Sequence, residues 1–309
     1  MNSFLKRLNF FTYFYNIFQI FFKKEFKGWG RKKTGRFAAW CYRSFGGTLI
    51  LQEDGFIRSI CLGIDGSPSF SIVEDDLGIY YDASTPSALE KILNEYDFAR
   101  DEKLMHDAKE AIEFIKKHNI SKYNYAPDID SNYFLDNEKR VLIIAQSAGD
   151  SSLKYGRGYE YSTDDIIKAA IQENKDSRIY LKIHPDVLTG KKLSDIDISN
   201  ISQDIKIITD DVNPISLLKH FSKVYVKTSG MGFESLLVGC ECVCFGMPFY
   251  AGWGITDDRL KCERRERKLK VEEVFAGAYI LYTKYCNPDD KKVSNIFNTL
   301  QVIVSKRGR

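Results

Sequence analysis

Three apolar, β-forming runs in the second half of this 309-residue chain end in groups capable of chemistry. Val141-Leu142-Ile143-Ile144-Ala145 leads into Gln146-Ser147-Ala148-Gly149-Asp150-Ser151-Ser152. Ile179-Tyr180-Leu181-Lys182-Ile183 ends in His184-Pro185-Asp186, and Val224-Tyr225-Val226 ends in Thr228-Ser229-Gly230. Strands of an open parallel sheet present their carboxyl ends on one edge, so Asp150, His184 and Ser229 converge there by topology. Asp150 is a candidate for chemistry at that edge, but on spacing alone it reads better as the cap of the segment that follows it. The Thr228-Ser229-Gly230 turn opens a helix, where hydroxyls and free N–H groups stabilise phosphate. Glu234, one turn further in, is placed to reach the hydroxyls of a nucleotide's ribose. Lys182 supplies a cation beside His184. An ordinary strand–helix–strand unit with a Ser/Thr cap would read the same way over Val224 to Gly254. The other histidines, His106, His118 and His220, fall in helical stretches and read as surface or packing residues.

The elements that must position these groups alternate strand and helix. Thr163 to Glu173 reads as a helix capped by Ser162 or Thr163, Ile205 to Ile208 as a strand, and Ile215 to His220 as a short helix. In the first half, Phe37 to Phe45 reads as helix and Thr48 to Leu51 as a strand that delivers Glu53 and Asp54 at its carboxyl end. Ser69 to Val73 and Gly78 to Tyr81 read as two more strands, and Ser87 to Lys117 as largely helical. The polar stretch Lys122 to Glu138 reads as the connection between domains. The expectation is an α/β protein of GT-B-like architecture, with two Rossmann-like domains facing a cleft and an N-terminal amphipathic helix. Its divisions are 1–27 for the helix, 28–138 for a first α/β domain and 139–309 for a second, Rossmann-like domain.

Composition is that of a globular chain, 44% hydrophobic and 28% charged. Of its seven cysteines, Cys240, Cys242 and Cys244 follow the spacing of one strand face rather than a CxxC zinc pair, and the odd count favours reduced thiols. Acid pairs at Asp75/Asp76, Asp128/Asp130, Asp195/Asp197, Asp210/Asp211 and Asp257/Asp258 lie mostly in polar connections, so no metal is expected. The net charge of +3 hides an asymmetry. Residues 1–36 carry nine basic side chains and one acidic, a surplus of eight that leaves the remainder at −5. That pattern does not describe a nucleic-acid-binding body. Within the basic segment, Phe11, Phe14, Phe18 and Phe21 recur at helical spacing opposite Asn9, Thr12, Asn16, Gln19 and Lys23. The run is too short and polar to span a bilayer, but an aromatic face beside cations fits an anionic membrane surface. A helix docked on the protein's own body or on a partner would carry the same pattern.

Several ordered motifs together resemble the KpsC/LipB capsule polysaccharide family of β-Kdo transferases. They are Gly28-Trp29-Gly30-Arg31-Lys32, Glu53-Asp54-Gly55-Phe56-Ile57-Arg58-Ser59 and Asp76-Leu77-Gly78-Ile79-Tyr80-Tyr81-Asp82, then Gln146 to Ser152, Lys182-Ile183-His184-Pro185-Asp186, Ser229 to Glu234, and Gly246 to Gly254. The chain departs from the family at Ser147-Ala148 and at Gly149, and has room for one module where family members often carry two. The resemblance implies a CMP-Kdo donor, a lipid-linked Kdo-glycolipid acceptor and retention of configuration, in assembly of the capsule linker at the cytoplasmic face of the inner membrane. It places the nucleophile at Asp150, and gives His184 the donor phosphate or the Kdo carboxylate. Ser229 and Gly230 would hold the CMP phosphate and Glu234 the ribose, with Glu53 or Asp54 as general base. CMP leaves with a single phosphate, so no metal cofactor is implied. The single module keeps a second class open: a non-catalytic nucleotide- or glycan-binding component of a capsule assembly complex, working with other capsule proteins.

Overall fold

The computed structural model describes residues 3–22, 24–63, 66–134, 136, 138–183 and 204–307. Five near-continuous apolar runs and one short edge strand build a six-stranded sheet whose neighbours are all parallel: β4 (Arg140–Ile144), β5 (Arg178–Lys182), β6 (Lys206–Ile208), β7 (Lys223–Val226), β8 (Glu241–Cys244) and β9 (Asp257–Asp258). Their spatial order, β6-β5-β4-β7-β8-β9, is the Rossmann order with its reversal between β4 and β7. Val141, Ile143, Leu181, Tyr225 and Val243 fill one face against the helix α6 (Thr163–Glu173), as both-sided burial demands of a parallel sheet. Ser162 caps that helix in a reciprocal box with Asp165.

The first sheet departs from the expected Rossmann pattern. Strand β1 (Glu25–Trp29) runs parallel to β2 (Thr48–Asp54), but β2 pairs antiparallel with β3 (Ser71–Asp75). Beyond β3 lie β10 (Thr283–Cys286) and β11 (Val293–Ser294), both antiparallel, drawn from the far end of the chain. The expected 139–309 division is therefore corrected: these strands and the final helix, Ile296–Arg307, complete the first domain. Gly78 to Tyr81, expected as a strand, is a turn, because the buried Asp75 carboxylate accepts from the N–H groups of Leu77, Gly78 and Ala88. Those bonds take the place of a ladder.

One apolar core runs through both domains. Phe56 packs on Phe249 at 4.7 Å and on Tyr279 at 4.9 Å between ring centres, and Phe233 lies 5.7 Å from Tyr279. The domains thus share an aromatic seam.

The helix α1 (Ser3–Gln19) docks by its polar side. Asn16 is wholly buried, and its side-chain amide both donates to the Lys27 carbonyl at 2.7 Å and accepts from the Lys27 N–H at 2.8 Å. It thereby satisfies the free edge of β1. Phe11, Phe14, Phe18 and Phe21 remain 66%, 63%, 48% and 79% exposed. No helix among the described residues is long and apolar enough to cross a membrane.

Candidate active site

The loop after β4 and the turn after β7 grip each other. Gln146 accepts from the Thr228 N–H at 2.8 Å and donates to the Thr228 hydroxyl at 3.1 Å, while the Ser152 hydroxyl lies 3.0 Å from the same oxygen. Gln146 and Ser152 thus hold Thr228 from two sides and fix the loop between them. Neither was singled out from sequence by mechanism; their fixed places in the Gln-x-x-x-Asp-x-Ser segment were the available signal. Asp150 caps the short helix α5 (Ser151–Tyr155), one oxygen accepting from the Ser152 N–H at 2.9 Å. It is exposed at the sheet edge, and its second oxygen has no hydrogen-bond donor among the described residues. Ser229 caps α8 (Gly230–Leu237), and its carbonyl accepts from the Tyr250 hydroxyl at 2.5 Å. A side chain at Gly230 would meet open space, so the α8 terminus is approachable from solvent.

The first domain brings β2 to the same region. The Tyr155 carbonyl at the end of α5 accepts from the Ala83 N–H at 3.0 Å, which sets the Asp150 loop against the turn carrying Tyr80 and Tyr81. Glu53 and Asp54 are adjacent but differently employed. Asp54 is paired with Arg58 at 3.0 Å. Glu53 accepts from the Trp29 indole at 2.7 Å, and burial raises its carboxyl above the usual range against the pull of Lys32 and Lys122. Gly30 has φ of +37°, and a Cβ there would stand 2.2 Å from the Tyr81 hydroxyl and 2.9 Å from Glu53 Oε2, so only glycine closes this corner. The Tyr80 phenol is pushed up by burial, with Glu53, Asp54 and Asp150 all adding to the effect and Lys122 opposing it.

Lys182, at the carboxyl end of β5, donates to the Asp210 carbonyl at 2.6 Å, and burial lowers its ammonium. His184 lies outside the described residues, as do Asp195 and Asp197. Glu234 does not face the α8 terminus. It is buried, and Oε1 accepts from the Ser121 hydroxyl at 2.6 Å and from the Lys122 N–H at 3.2 Å, tying α8 to the interdomain connection. Glu234 stands one turn into the helix, as the spacing predicts, with Oε1 turned onto the interdomain connection.

Burial raises the Glu234 carboxyl to about 7, opposed by its bonds to Ser121 and Lys122. In the unfolded chain this group ionises near 4, so between pH 4 and 7 the folded state holds the extra proton. Stability from this group is therefore fully present at low pH and is lost as pH rises towards 7. The penalty is about 3 kcal/mol once ionised. Glu234→Gln keeps an acceptor for Ser121 and Lys122 and is expected to melt about 5 °C above the wild type at pH 8, the gap closing by pH 5. A gap of constant size across that range would show that Glu234 titrates as it does in the unfolded chain.

The acid pairs are engaged elsewhere. Asp210 and Asp211 accept from Tyr133 and Tyr125, Asp128 pairs with Arg307, and Asp258 accepts from Thr256 and the Gly252 N–H. Among the described residues no three His, Cys, Asp or Glu side chains gather as metal ligands.

A Rossmann-ordered sheet, a second sheet opposite it and a site assembled from loops of both define a GT-B-like α/β protein. Residues 28–286 match the capsule polysaccharide biosynthesis protein family, and the chain belongs to that family. It is 38% identical over 289 residues to the capsule polysaccharide modification protein LipA of Neisseria meningitidis serogroup A, a match over 90% of this chain and 41% of LipA. The lipopolysaccharide-processing protein LpsZ of Rhizobium meliloti is 36% identical over 76% of this chain and 53% of its own length. The chain thus spans about two fifths to one half of these curated relatives. Among solved structures, the Thermosulfurimonas dismutans KpsC β-Kdo 2,4-transferase superposes with a TM-score of 0.85 at 41% identity, covering 90% of this chain and 86% of that one. The β-Kdo 2,7-transferase of the same KpsC gives 0.72 at 27% identity, over 95% and 88%.

Proposed function

We propose that this chain transfers Kdo from CMP-Kdo to a lipid-linked Kdo glycan with retention, as a step in making the capsule linker. The observation that carries the reading is the juxtaposition of Asp150 with the open α8 terminus, both fixed by the Gln146–Thr228–Ser152 clamp. Asp150 attacks the anomeric carbon of Kdo as the bond to the CMP phosphate breaks. The leaving phosphate is stabilised by the Ser229 hydroxyl and the α8 terminus. In the second half, an acceptor hydroxyl displaces Asp150 from the opposite face, its proton passing to Glu53. Two inversions give retention. Glu53 suits the base better than Asp54, whose carboxylate is committed to Arg58. Lys182 and His184 stay with the donor in this reading, and departure of CMP calls for no metal. Greater identity to the 2,4- than to the 2,7-transferase favours O4 of the acceptor Kdo as the site of extension.

The test is CMP release from CMP-Kdo with a synthetic Kdo-lipid acceptor, followed by assignment of the product linkage by NMR. A β-2,4 product supports the whole reading, and CMP binding without turnover favours the non-catalytic assembly component.

The same reading places the protein peripherally on the anionic cytoplasmic membrane face. Support comes from the inverted docking of α1, polar side in and phenylalanines out, beside exposed Lys24, Lys32, Lys33 and Arg36. Deleting the helix would also strip Asn16 from β1, so substitution is the cleaner test. Phe11→Ser, Phe14→Ser and Phe18→Ser together are expected to weaken sedimentation with phosphatidylglycerol vesicles at least about 100-fold while turnover of a soluble acceptor persists. Undiminished vesicle binding would remove the membrane role from this face.

A further inference from the structure

The helix α2 (Lys33–Phe45) buries Thr34, Gly35, Ala38 and Cys41, with Ala38 and Cys41 packed on Phe26 of β1. On its opposite side Lys33, Arg36, Trp40 and Arg43 recur at intervals of three and four, all exposed. The helix contains no acidic residue. The ion pairs nearby join Lys27 to Glu25 and Arg31 to Asp82, and among the described residues none engages Lys33, Arg36 or Arg43. Trp40, in the middle of these cations, is 50% exposed. The indoles of Trp29 and Trp253 donate to Glu53 and to the Phe249 carbonyl, whereas that of Trp40 donates to no group among the described residues. A run of ring contacts carries this side across to α1. Tyr13 meets Phe37 at 4.9 Å, Phe37 stacks on Trp40 at 5.7 Å, and Trp40 meets Phe45 at 6.0 Å between centres. On α1 itself, Tyr13 stands at helical spacing from the exposed Phe10 and Ile17.

We propose that α2 is the second half of the membrane-binding surface, with Trp40 entering the interface of an anionic bilayer and Lys33, Arg36 and Arg43 meeting lipid phosphates around it. This rests on the peripheral reading given above and deepens it, extending the contact from one helix to two. An exposed indole inside a ring of uncompensated cations needs apolar depth and negative charge together, and the headgroup boundary of an anionic bilayer supplies both. Two helices joined by ring contacts also fix an orientation, whereas a single helix is free to roll on the surface. The orientation matters because α2 begins three residues after Gly30, which packs against Tyr81 and Glu53. Seating α2 therefore brings that side of the candidate site to the surface where a lipid-linked sugar is presented.

Trp40 is its own probe. Subtracting the emission of Trp40→Phe from that of the wild type isolates its contribution, which is followed on adding brominated phosphatidylcholine vesicles with and without phosphatidylglycerol. The expected result is a blue shift and quenching of the Trp40 emission only where phosphatidylglycerol is present. Trp40→Ser is expected to weaken sedimentation with these vesicles about 10-fold. Lys33→Gln, Arg36→Gln and Arg43→Gln together are expected to weaken it about 100-fold, a loss that shrinks as salt is raised. Thermal melts establish that each variant is folded, and the quenching measurement needs only the wild type and Trp40→Phe. Wild-type binding with unquenched Trp40 emission, undiminished in the serine and glutamine variants, would leave α1 as the sole anchor and overturn the proposal. A wild type that sediments with no vesicle would remove the peripheral reading and this proposal with it. Trp40 emission shielded from acrylamide without lipid, in a dimer that Trp40→Ser dissociates, would assign the face to a second copy of the chain instead. None of these readouts uses turnover, so the transfer reading stands or falls separately.

Discussion

Asp150→Asn is expected to fold as the wild type does and to lose Kdo transfer by at least about 10⁴-fold, the scale on which removal of a nucleophile acts. Asparagine is chosen because one substitution can separate the observed cap from the nucleophile role proposed for Asp150. As the cap of α5 it needs only an oxygen that accepts from the Ser152 N–H, and asparagine caps as well as aspartate. As a nucleophile it needs a carboxylate, and an amide cannot form the glycosyl ester. Asp150→Ala removes both functions and is expected to cost about 1 kcal/mol of stability as well. Thermal melting and CMP release measured side by side therefore assign each loss to its cause. Turnover that survives Asp150→Asn would keep the enzyme and discard its covalent intermediate.

Glu90→Ala is expected to destabilise the protein by about 3–5 kcal/mol without touching the chemistry. Glu90 lies in the first turn of the helix Ala88–Glu95 and is buried against two arginines from beyond the second sheet. Arg264 approaches one oxygen at 2.7 Å and Arg265 the other at 3.2 Å. Arg265 is itself buried, with further bonds to the carbonyls of Pro248 at 2.5 Å and Ala251 at 2.6 Å, so its charge cannot reach water if Glu90 is removed. The penalty is that of an uncompensated buried cation, larger than the net worth of the pair. Glu90→Gln, which preserves shape and one acceptor, should fall between. Urea denaturation measures the difference; a loss below about 1 kcal/mol would mean that the arginines relax into solvent and that the pair behaves as a surface one.

How far the sequence revealed these arrangements depended on the range of the interaction concerned. The parallel strands were legible because burial on both faces writes apolar runs, Val141 to Ile144 and Val224 to Val226 among them. Asp150 and Ser229 were legible because strand ends share an edge. Glu234 was not, since its partner Ser121 lies 113 positions away and no local pattern encodes the direction of its side chain. Gly78 to Tyr81 carried strand-forming residues, but Asp75 had already claimed its N–H groups for a turn. The returning strands β10 and β11 were missed because four and two residues are too few for periodicity to register.

That return has a consequence for synthesis. Strand β3 waits for a neighbour more than 200 residues downstream, Ser71 pairing with Tyr285. At ribosomal rates this is an interval of roughly 10–40 s. Through it the hydrogen-bonding side of β3 stands open, a template for any extended segment that passes. The six-stranded sheet, whose last strand ends at Asp258, can close before that interval is over. The nascent chain thus assembles its second domain first and its first domain last. In the cell, chaperones that shield strand edges should be found on this protein while residues 76–282 are being made.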